Sequence, residues 1–378
     1  MQTHKSDSTG SPESREVTSK RRNENIKPQA IPPPISASGK ARAVGNTPKV
    51  TLENLFGRPR SSYLLRNPVD IEGLTVGGFT ITKMVSQTGS HGTVVACTDD
   101  TKARYAMKIE LCPHEMDMDN LAMTEITNHP SNRLSEDLHI PRLYRGFKEA
   151  GKEIAVMDLL GPNLDELESA VFENLSKKTI IQVGISLLHA LEEIHRSGWL
   201  HLSMKPHNLC IGGTEATRHK VYIVDFGRAE KYLTEEGLHR SPKEESVRYN
   251  VGLGLCSIWC KENFTASRRD DIMNLGFVLM SLDGRCKPWV MAGMNQKQWL
   301  DGLSESNGHQ KLSTPSEKLV MEAYKLKYHE QPQYEELRQY LKTYADQNGI
   351  ELDGKYDWDN LLCEEDGRIG FPGGYHGF

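Results

Sequence analysis

Three polar side chains in apolar surroundings have the chemical types needed to hold a phosphate group and a metal ion. Lys108 ends the stretch "YAMK", Asn208 lies in "KPHNLCIG", and Asp225 follows the apolar "VYIV". Carboxylate and amide oxygens are hard ligands that suit Mg²⁺, and an ammonium group pairs with phosphate oxygens. The set predicts binding of a nucleoside triphosphate with its metal, which is the first requirement of phosphoryl transfer.

A glycine-containing segment precedes Lys108 and is expected to form a loop between two strands. In "SQTGSHGTV", Gly89 and Gly92 would let the backbone approach phosphates closely. Gln87 stands where the pattern G-x-G-x-x-G-x-V has its first glycine. Taken by itself, the segment is more typical of a glycine-containing hairpin turn, so its role as a phosphate loop depends on the residues around it.

Lys108 needs a partner if it lies on a buried strand, because an unpaired buried charge is costly. Glu125, on the predicted helix 118–129, is expected to supply that partner. A lysine at the end of a strand often extends its ammonium group to solvent instead. In combination with Asn208 and Asp225, Lys108 is predicted to contact the α and β phosphates.

The segment "WLHLSMKPHNLCIG" resembles the catalytic loop of protein kinases. His201, Lys205 and Asn208 match the spacing of that motif, in which an Asp acts as catalytic base. Leu202 replaces the Arg of the motif, and Ser203 replaces the Asp. A hydroxyl is neutral at pH 7, and loss of a positioned general base typically costs about 10²–10⁴ in rate. The resemblance therefore predicts a kinase site with an impaired substrate side.

Longer motifs are similar to those of the casein kinase I group. They are "MDLLGPNLDEL" at 157–167, "KPHNLCIGG", and "ASRRDDIMNLGFVLM" at 266–280, within a similarity that covers about residues 75–350. This resemblance implies a two-lobed protein kinase fold, ATP and Mg²⁺ as ligands, and protein substrates or partners. It also implies that Asp271 is a buried helix residue that supports the catalytic loop.

The same resemblance assigns residues to the nucleotide site. Met157 would be the gatekeeper, and the backbone from Asp158 to Leu160 would meet adenine. Val94 and Ala106 would form the roof of the adenine pocket. Asn208 and Asp225 would be the metal ligands, while Lys108, Glu125, Lys205 and the substituted Ser203 would occupy the catalytic positions.

A further group of differences lies before the "SRRDD" motif. The group usually carries Thr-x-Arg-Tyr-x-Ser there, whereas this chain has Gly252 at the Thr position, Gly254 at the Arg position and Leu255 at the Tyr position. In the group, that Thr helps tie the base to the lysine of the catalytic loop, and the Arg contributes to an anion pocket. The losses therefore affect the base, its partner and the substrate pocket together.

Patterns along the chain predict an α+β fold with a small antiparallel β-sheet lobe carrying one helix, and a larger, mainly helical lobe. Strands are expected at 78–89, 92–100, 104–111, 153–161 and 220–226. The best helix follows Ser176, its predicted N-cap, and ends at Gly198. The predicted kinase-like domain spans 71–350, with a first lobe at about 75–157 and a second at about 161–350. Residues 351–378 are expected to form a tail, with 368–378 an unstructured end.

Composition predicts an intracellular protein. Seven cysteines without a CxxC pair favour reduced thiols, and no apolar run approaches the ~18 residues that span a bilayer. Residues 1–70 are predicted to be disordered and basic; residues 1–50 alone carry +5, which leaves −10 for the remainder of a chain whose net charge is −5. The acidic remainder argues against a general nucleic-acid surface. "SKRR" at 19–22 resembles a nuclear-import patch, although a solvated charge run is favoured, so a cytoplasmic location with a nuclear alternative is predicted.

Two functions follow from these residues. The first is a nucleotide-binding pseudokinase that acts as a scaffold or regulatory partner. The second is a Ser/Thr protein kinase of low activity, because phosphoryl transfer depends largely on positioning and metal electrostatics, and those residues are retained. A purely structural module without nucleotide is a third alternative, supported by Gln87.

Overall fold

The computed structural model describes residues 71–372, except for several short segments. The exceptions are 89–91, 111–112, 134, 136, 172–173, 244–255, 286–289, 291–292, 306–313 and 366–367. The predicted disordered region 1–70 lies outside the described residues, as does the end of the chain after 372. No helix in the described part of the chain is both long and apolar enough to cross a membrane.

The described elements run from an antiparallel sheet to a helical region. The strands are β1 Thr75–Val76, β2 Phe79–Thr88, β3 Gly92–Thr98, β4 Arg104–Glu110, β5 Leu143–Glu149, β6 Lys152–Met157, β7 Trp199–Leu200, β8 Leu209–Ile211, β9 Val221–Ile223, β10 Glu230–Lys231, β11 Cys363–Glu365 and β12 Arg368–Gly370. The helices are α1 Pro113–Asn128, α2 Leu164–Ala170, α3 Lys177–Arg196, α4 Ile258–Lys261, α5 Arg268–Leu282, α6 Gln296–Glu305, α7 Pro315–Lys325 and α8 Tyr334–Gln347.

Six antiparallel strands form the sheet of the first lobe, in the order β1-β2-β3-β4-β6-β5. Alternate residues of a strand point to opposite faces of the sheet. One face buries Val95, Met107, Ile109 and Val156 in a core of the first lobe alone. The other face joins the larger core that includes α1 and the helical lobe. The sheet thus has two different faces, and the second is available to form a site between the lobes.

The long helix α3 organises the second lobe. The hydroxyl of Ser176 accepts a hydrogen bond from the Thr179 backbone N–H and caps the helix, and Gly198 follows its end with φ of +84°. The helix packs against α5 and α8 through residues such as Leu187 and Leu191, both fully buried. The predicted boundaries of α3 and the two-lobed α+β fold are confirmed.

Three features differ from the sequence-based predictions. Helix α1 begins at Pro113, five residues earlier than predicted. Strand β5 was not predicted, because "LYRGFKE" is polar at the exposed edge of the sheet, where only its pairing with β6 defines it as a strand. The third difference concerns the chain end.

Residues after 350 are not a separate tail, and the predicted unstructured end is wrong for residues 368–372. Trp358 and Ile369 are fully buried in the core of the second lobe, and Tyr356 stacks on Trp358 with ring centroids 4.9 Å apart. The hairpin β11–β12 is antiparallel, and the Ile369 N–H donates to the Gly213 carbonyl at 2.9 Å. Composition alone missed this because a few apolar residues among glycines carry little periodic signal.

Candidate active site

The face of the sheet that looks toward the second lobe brings the predicted pocket residues together. Val94 on β3 pairs with Lys108 on β4, and Ala106 pairs with Met157 on β6. Directly opposed residues of antiparallel strands share a face, as do residues two apart on one strand. Val94, Ala106, Lys108 and Met157 therefore lie on one face, and Ala155 joins them because it pairs with Lys108. Ala155 was missed by the sequence analysis, although its position two residues before Met157 identifies it.

The glycine segment is described only at its edges. Gly89 lies outside the described residues, and of Gln87 only the backbone is described, paired with Thr93. Gly92 begins β3 with φ of +146°, a conformation that favours glycine over other residues. Strand β3 thus begins two residues before Val94, and the predicted phosphate loop between β2 and β3 falls largely on residues outside the described part of the chain.

Two carboxylates among the described residues contact Lys108, and neither of them is Glu125. Its Nζ lies 2.7 Å from Asp119 Oδ2 and 3.0 Å from Asp225 Oδ1. The second oxygen of Asp119 accepts a hydrogen bond at 2.8 Å from the backbone N–H of Phe226, which follows Asp225. Asp119 therefore ties the lysine on β4 to the loop that carries Asp225.

The predicted pairing of Lys108 with Glu125 was wrong. Glu125 instead forms an ion pair with Lys231 at 2.7 Å and accepts a hydrogen bond from the Trp199 indole N–H at 3.1 Å. The physical reason is helical geometry. Asp119 and Glu125 are six residues apart on α1, about 600° of rotation at 3.6 residues per turn, so they leave the helix in directions about 120° apart. Of these two carboxylates, Asp119 is the one that faces Lys108.

The catalytic-loop residues meet around the side chain of Asn208. Its Nδ2 lies 2.9 Å from the Ser203 carbonyl, 3.1 Å from Ser203 Oγ and 3.4 Å from Asp225 Oδ2. These contacts all use the amide nitrogen, so they leave the amide oxygen as the atom for a metal. The carboxylate of Asp225 and the amide of Asn208 are hence adjacent and have the donor set that Mg²⁺ prefers. Lys205 is partly buried nearby and contributes positive potential at Asp225.

Asp271 on α5 holds the backbone of the catalytic loop in place. It is fully buried and accepts hydrogen bonds from the backbone N–H groups of His201 at 2.8 Å and Leu202 at 2.9 Å, while His195 Nε2 lies 3.0 Å away. Leu202 has φ of +57°, a left-handed conformation that is strained for a non-glycine residue. The Asp271 bond to its N–H stabilises that conformation, so the helix carboxylate fixes the course of the loop.

The protonation states of two site residues follow from their surroundings. Burial, the largest single effect, would raise the pKa of Asp225, but the charge and hydrogen bond of Lys108 together with the charges of His201 and Lys205 outweigh it, so the pKa lies below its usual range. Burial lowers the pKa of His201 despite the opposing effect of Asp271. Near neutral pH the site therefore combines a charged Asp225 with a neutral His201.

Neutral His201 suits its hydrogen bonds. Its Nε2 contacts the Val224 carbonyl at 3.2 Å, and its Nδ1 lies 3.3 Å from the Ser203 N–H. A ring that donates through Nε2 and accepts through Nδ1 satisfies both partners. His201 thus links the strand before Asp225 to the loop that holds Ser203.

The segment that joins the lobes follows Met157. The Asp158 carboxylate accepts hydrogen bonds from the Tyr144 hydroxyl at 2.7 Å and the Arg142 N–H at 2.8 Å. The carbonyl of Leu160 accepts a hydrogen bond at 2.6 Å from Nε of Arg368, in β12. The contact of Arg368 with this segment was not found by the sequence analysis, and no motif signals it.

The segment before the "SRRDD" motif, which corresponds to the substrate pocket of the casein kinase I group, is described only in part. Gly252, Gly254 and Leu255 lie outside the described residues. Ser257, which matches the Ser of that motif, is fully buried; its hydroxyl donates to the buried Asp270 carboxylate at the start of α5 and accepts from the Cys260 N–H. This side of the site is therefore anchored to the same helix as the catalytic loop.

A comparison with known families agrees with this geometry. Residues 86–335 match the family model described as "Protein kinase domain". The matched region includes the glycine segment, Lys108, Asn208, Asp225 and Asp271, and it covers well over half of the chain. Domains of this family generally bind ATP with Mg²⁺ and act on proteins. The chain belongs to the protein kinase domain family.

Proposed function

We propose that this chain is a nucleotide-binding pseudokinase of the casein kinase I group, with a scaffold or regulatory role. The observation that carries the proposal is the contrast around Asn208. On one side its amide lies 3.4 Å from Asp225, which in turn lies 3.0 Å from Lys108. On the other side the same amide contacts Ser203, where kinases carry the catalytic base. The groups that would hold phosphate and metal lie close together, while a neutral hydroxyl stands where kinases carry the base.

The nucleotide would contact groups on both lobes. Lys108 would pair with phosphate oxygens, Asp225 and Asn208 would hold Mg²⁺, and the apolar face formed by Val94, Ala106 and Met157 would cover the adenine ring. The bound metal would neutralise phosphate charge. Ser203 cannot take a proton from an acceptor hydroxyl as a carboxylate does, and this favours binding without rapid turnover.

A second candidate function is slow Ser/Thr protein phosphorylation with ATP as donor. It is favoured by the retained contacts among Lys108, Asn208 and Asp225, because positioning and electrostatics supply most of the catalysis of phosphoryl transfer. The departures at Gly252 and Gly254 count against it. Misplacement of a substrate by itself can cost about 100-fold in rate.

Two measurements on the full chain test the proposal. Thermal unfolding with and without Mg-ATP is compared for wild type and Lys108→Ala; stabilisation of the wild type alone supports nucleotide binding. Radiolabel transfer from ATP is then measured for wild type, Asp225→Ala and Ser203→Asp. If the chain is a pseudokinase, we expect wild type to transfer no more label from ATP than Asp225→Ala does. Transfer that exceeds this control, and that rises in Ser203→Asp, would favour the second function instead.

A further inference from the structure

The C-terminal hairpin contacts the segment that joins the two lobes. Arg368 on β12 donates from Nε to the Leu160 carbonyl at 2.6 Å and from Nη2 to the Gly161 carbonyl at 3.3 Å. The guanidinium is also near the Cys210 thiol and the Glu166 carboxylate. Arg368 therefore contacts the inter-lobe segment directly and lies within electrostatic range of the strand that follows Asn208 and of the first turn of α2.

The rest of the hairpin is built into the fold, so this contact is not that of a loose chain end. Ile369 is fully buried and its N–H donates to the Gly213 carbonyl, and Phe371 packs against the main core. Gly213 itself lies against the inter-lobe segment, since a Cβ added there would come within 2.0 Å of the Leu159 carbonyl oxygen. The backbone of the hairpin thus carries Arg368 to a fixed place.

The proposed nucleotide site would use the same inter-lobe segment that Arg368 contacts. If the backbone from Asp158 to Leu160 meets adenine, a base or its ribose would approach the carbonyl that Arg368 already engages. A guanidinium carries only donors, as does the amino group of adenine. Arg368 occupies one of the two lone pairs of the Leu160 carbonyl and the space beside it, so a purine donor would have to approach the remaining lone pair next to the guanidinium. A hydrogen bond from a charged donor is also stronger than one from a neutral donor, so a nucleotide would have to displace it at a cost.

We propose that Arg368 is an autoinhibitory residue, which occupies the inter-lobe carbonyl of Leu160 and lowers the affinity of the site for purine nucleosides and nucleotides. The hairpin β11–β12 acts as a built-in competitor. An event that withdraws it from the Leu160 and Gly161 carbonyls would open the site. This inference rests on the proposed nucleotide-binding function and specifies how it is regulated.

The test measures binding of adenosine and of Mg-ATP to the full chain by calorimetry. Arg368→Met keeps the length of the side chain but removes its donors. Glu364→Gln, an exposed change in the same hairpin, is the matched control. We expect Arg368→Met to bind adenosine about tenfold more tightly than wild type, which is the equivalent of roughly one hydrogen bond to a charged group. Glu364→Gln should match wild type.

Adenosine lacks the phosphates that Lys108 and Asp225 would hold. Its binding therefore tests the role of Arg368 alone, whereas Mg-ATP binding also tests the proposed function. Equal or weaker adenosine binding in Arg368→Met, or none in any variant, would overturn the inference, even if Mg-ATP stabilises wild type. Tighter adenosine binding without any effect of Mg-ATP would keep the inference and reject the function. If Arg368→Met does not fold, Arg368→Lys, which loses the two-pronged contact, should still raise adenosine affinity above wild type, and no rise would overturn the inference.

Discussion

The Asp119 carboxylate bridges the ammonium group of Lys108, at 2.7 Å, and the backbone N–H of Phe226, at 2.8 Å. It lies on α1, almost two turns before Glu125, and it is almost completely buried. One side chain therefore couples the helix of the first lobe to both the lysine on β4 and the loop that carries Asp225. The position of α1 and the geometry of the phosphate side are linked through it.

Asp119→Asn should weaken nucleotide binding more than Glu125→Gln does. The amide cannot balance the Lys108 charge, so we expect a loss of about 1–3 kcal/mol in the free energy of unfolding and a weaker stabilisation by Mg-ATP. Glu125 is more than a third exposed, and loss of its pair with Lys231 should cost less than about 1 kcal/mol. Denaturant titrations and thermal shifts with Mg-ATP measure both effects. A larger loss of nucleotide binding in Glu125→Gln would contradict the pairing.

Asn208→Asp should make the stability of the protein depend on Mg²⁺. The new carboxylate would lie beside Asp225, about where the amide nitrogen is now 3.4 Å from Oδ2, and it could no longer donate to Ser203. Repulsion between like charges should lower the free energy of unfolding by about 1–3 kcal/mol in a chelator. Millimolar Mg²⁺ should restore most of this loss.

The measurement for Asn208→Asp is the thermal unfolding midpoint with chelator and with Mg²⁺. Asn360→Asp, at an exposed position, makes the same chemical change away from Asp225 and serves as the control. A shift with Mg²⁺ that is no larger in Asn208→Asp than in wild type and in the control would show that these two residues do not form a metal site.

Asp271→Asn should destabilise the fold as a whole. An amide keeps one acceptor oxygen, so at least one of the His201 and Leu202 N–H groups would lose its partner inside the core, and the left-handed Leu202 would lose support. We expect a decrease of about 2–4 kcal/mol in the free energy of unfolding. Asp301→Asn loses an exposed ion pair with Lys297 but can still accept from the Tyr324 hydroxyl, so it should cost less than about 1 kcal/mol. Urea titrations of both variants check this; equal stabilities would refute the anchoring role.

The free energy of unfolding should decrease at acidic pH, partly because of His201. Its pKa is lowered from 6.5 by burial, so between its folded-state pKa and about 6.5 the unfolded chain binds more protons than the folded chain. The free energy of unfolding therefore decreases as pH falls below about 6.5, and is fully retained above it. His201→Gln should reduce this dependence relative to wild type. His207→Gln, the same change at an exposed ring in the same loop, is the control.

Urea titrations at pH 7.5, 6.5 and 5.5 give the slope for each variant of this pair. The expected result is a difference between wild type and His201→Gln that narrows as pH decreases, because the wild type loses the contribution of the neutral ring. A constant difference over this range would mean that His201 is not held neutral by the fold.

Much of the site could be predicted because its residues are constrained locally. Lys108, Asn208 and Asp225 each lie at the end of a strand or in a short loop, and their types and spacing along the chain identify them before the fold is known. The same holds for α3, whose apolar period, N-cap and terminal glycine are all encoded within about 20 residues. The match to the protein kinase domain family confirms that reading at the level of the family.

The partners of these residues were decided only by the tertiary structure. The sequence predicts only Glu125 as the partner of Lys108, whereas the rotation of α1 against β4 places Asp119 of the same helix beside that lysine. Likewise, Arg368 lies more than 200 residues from Leu160 in a segment with little periodic signal, and the burial of Ile369 and Phe371 brings it there. Sequence motifs specify which groups a site contains because those groups depend on local backbone geometry. Which charges meet is set by packing between distant elements, and no local pattern records it.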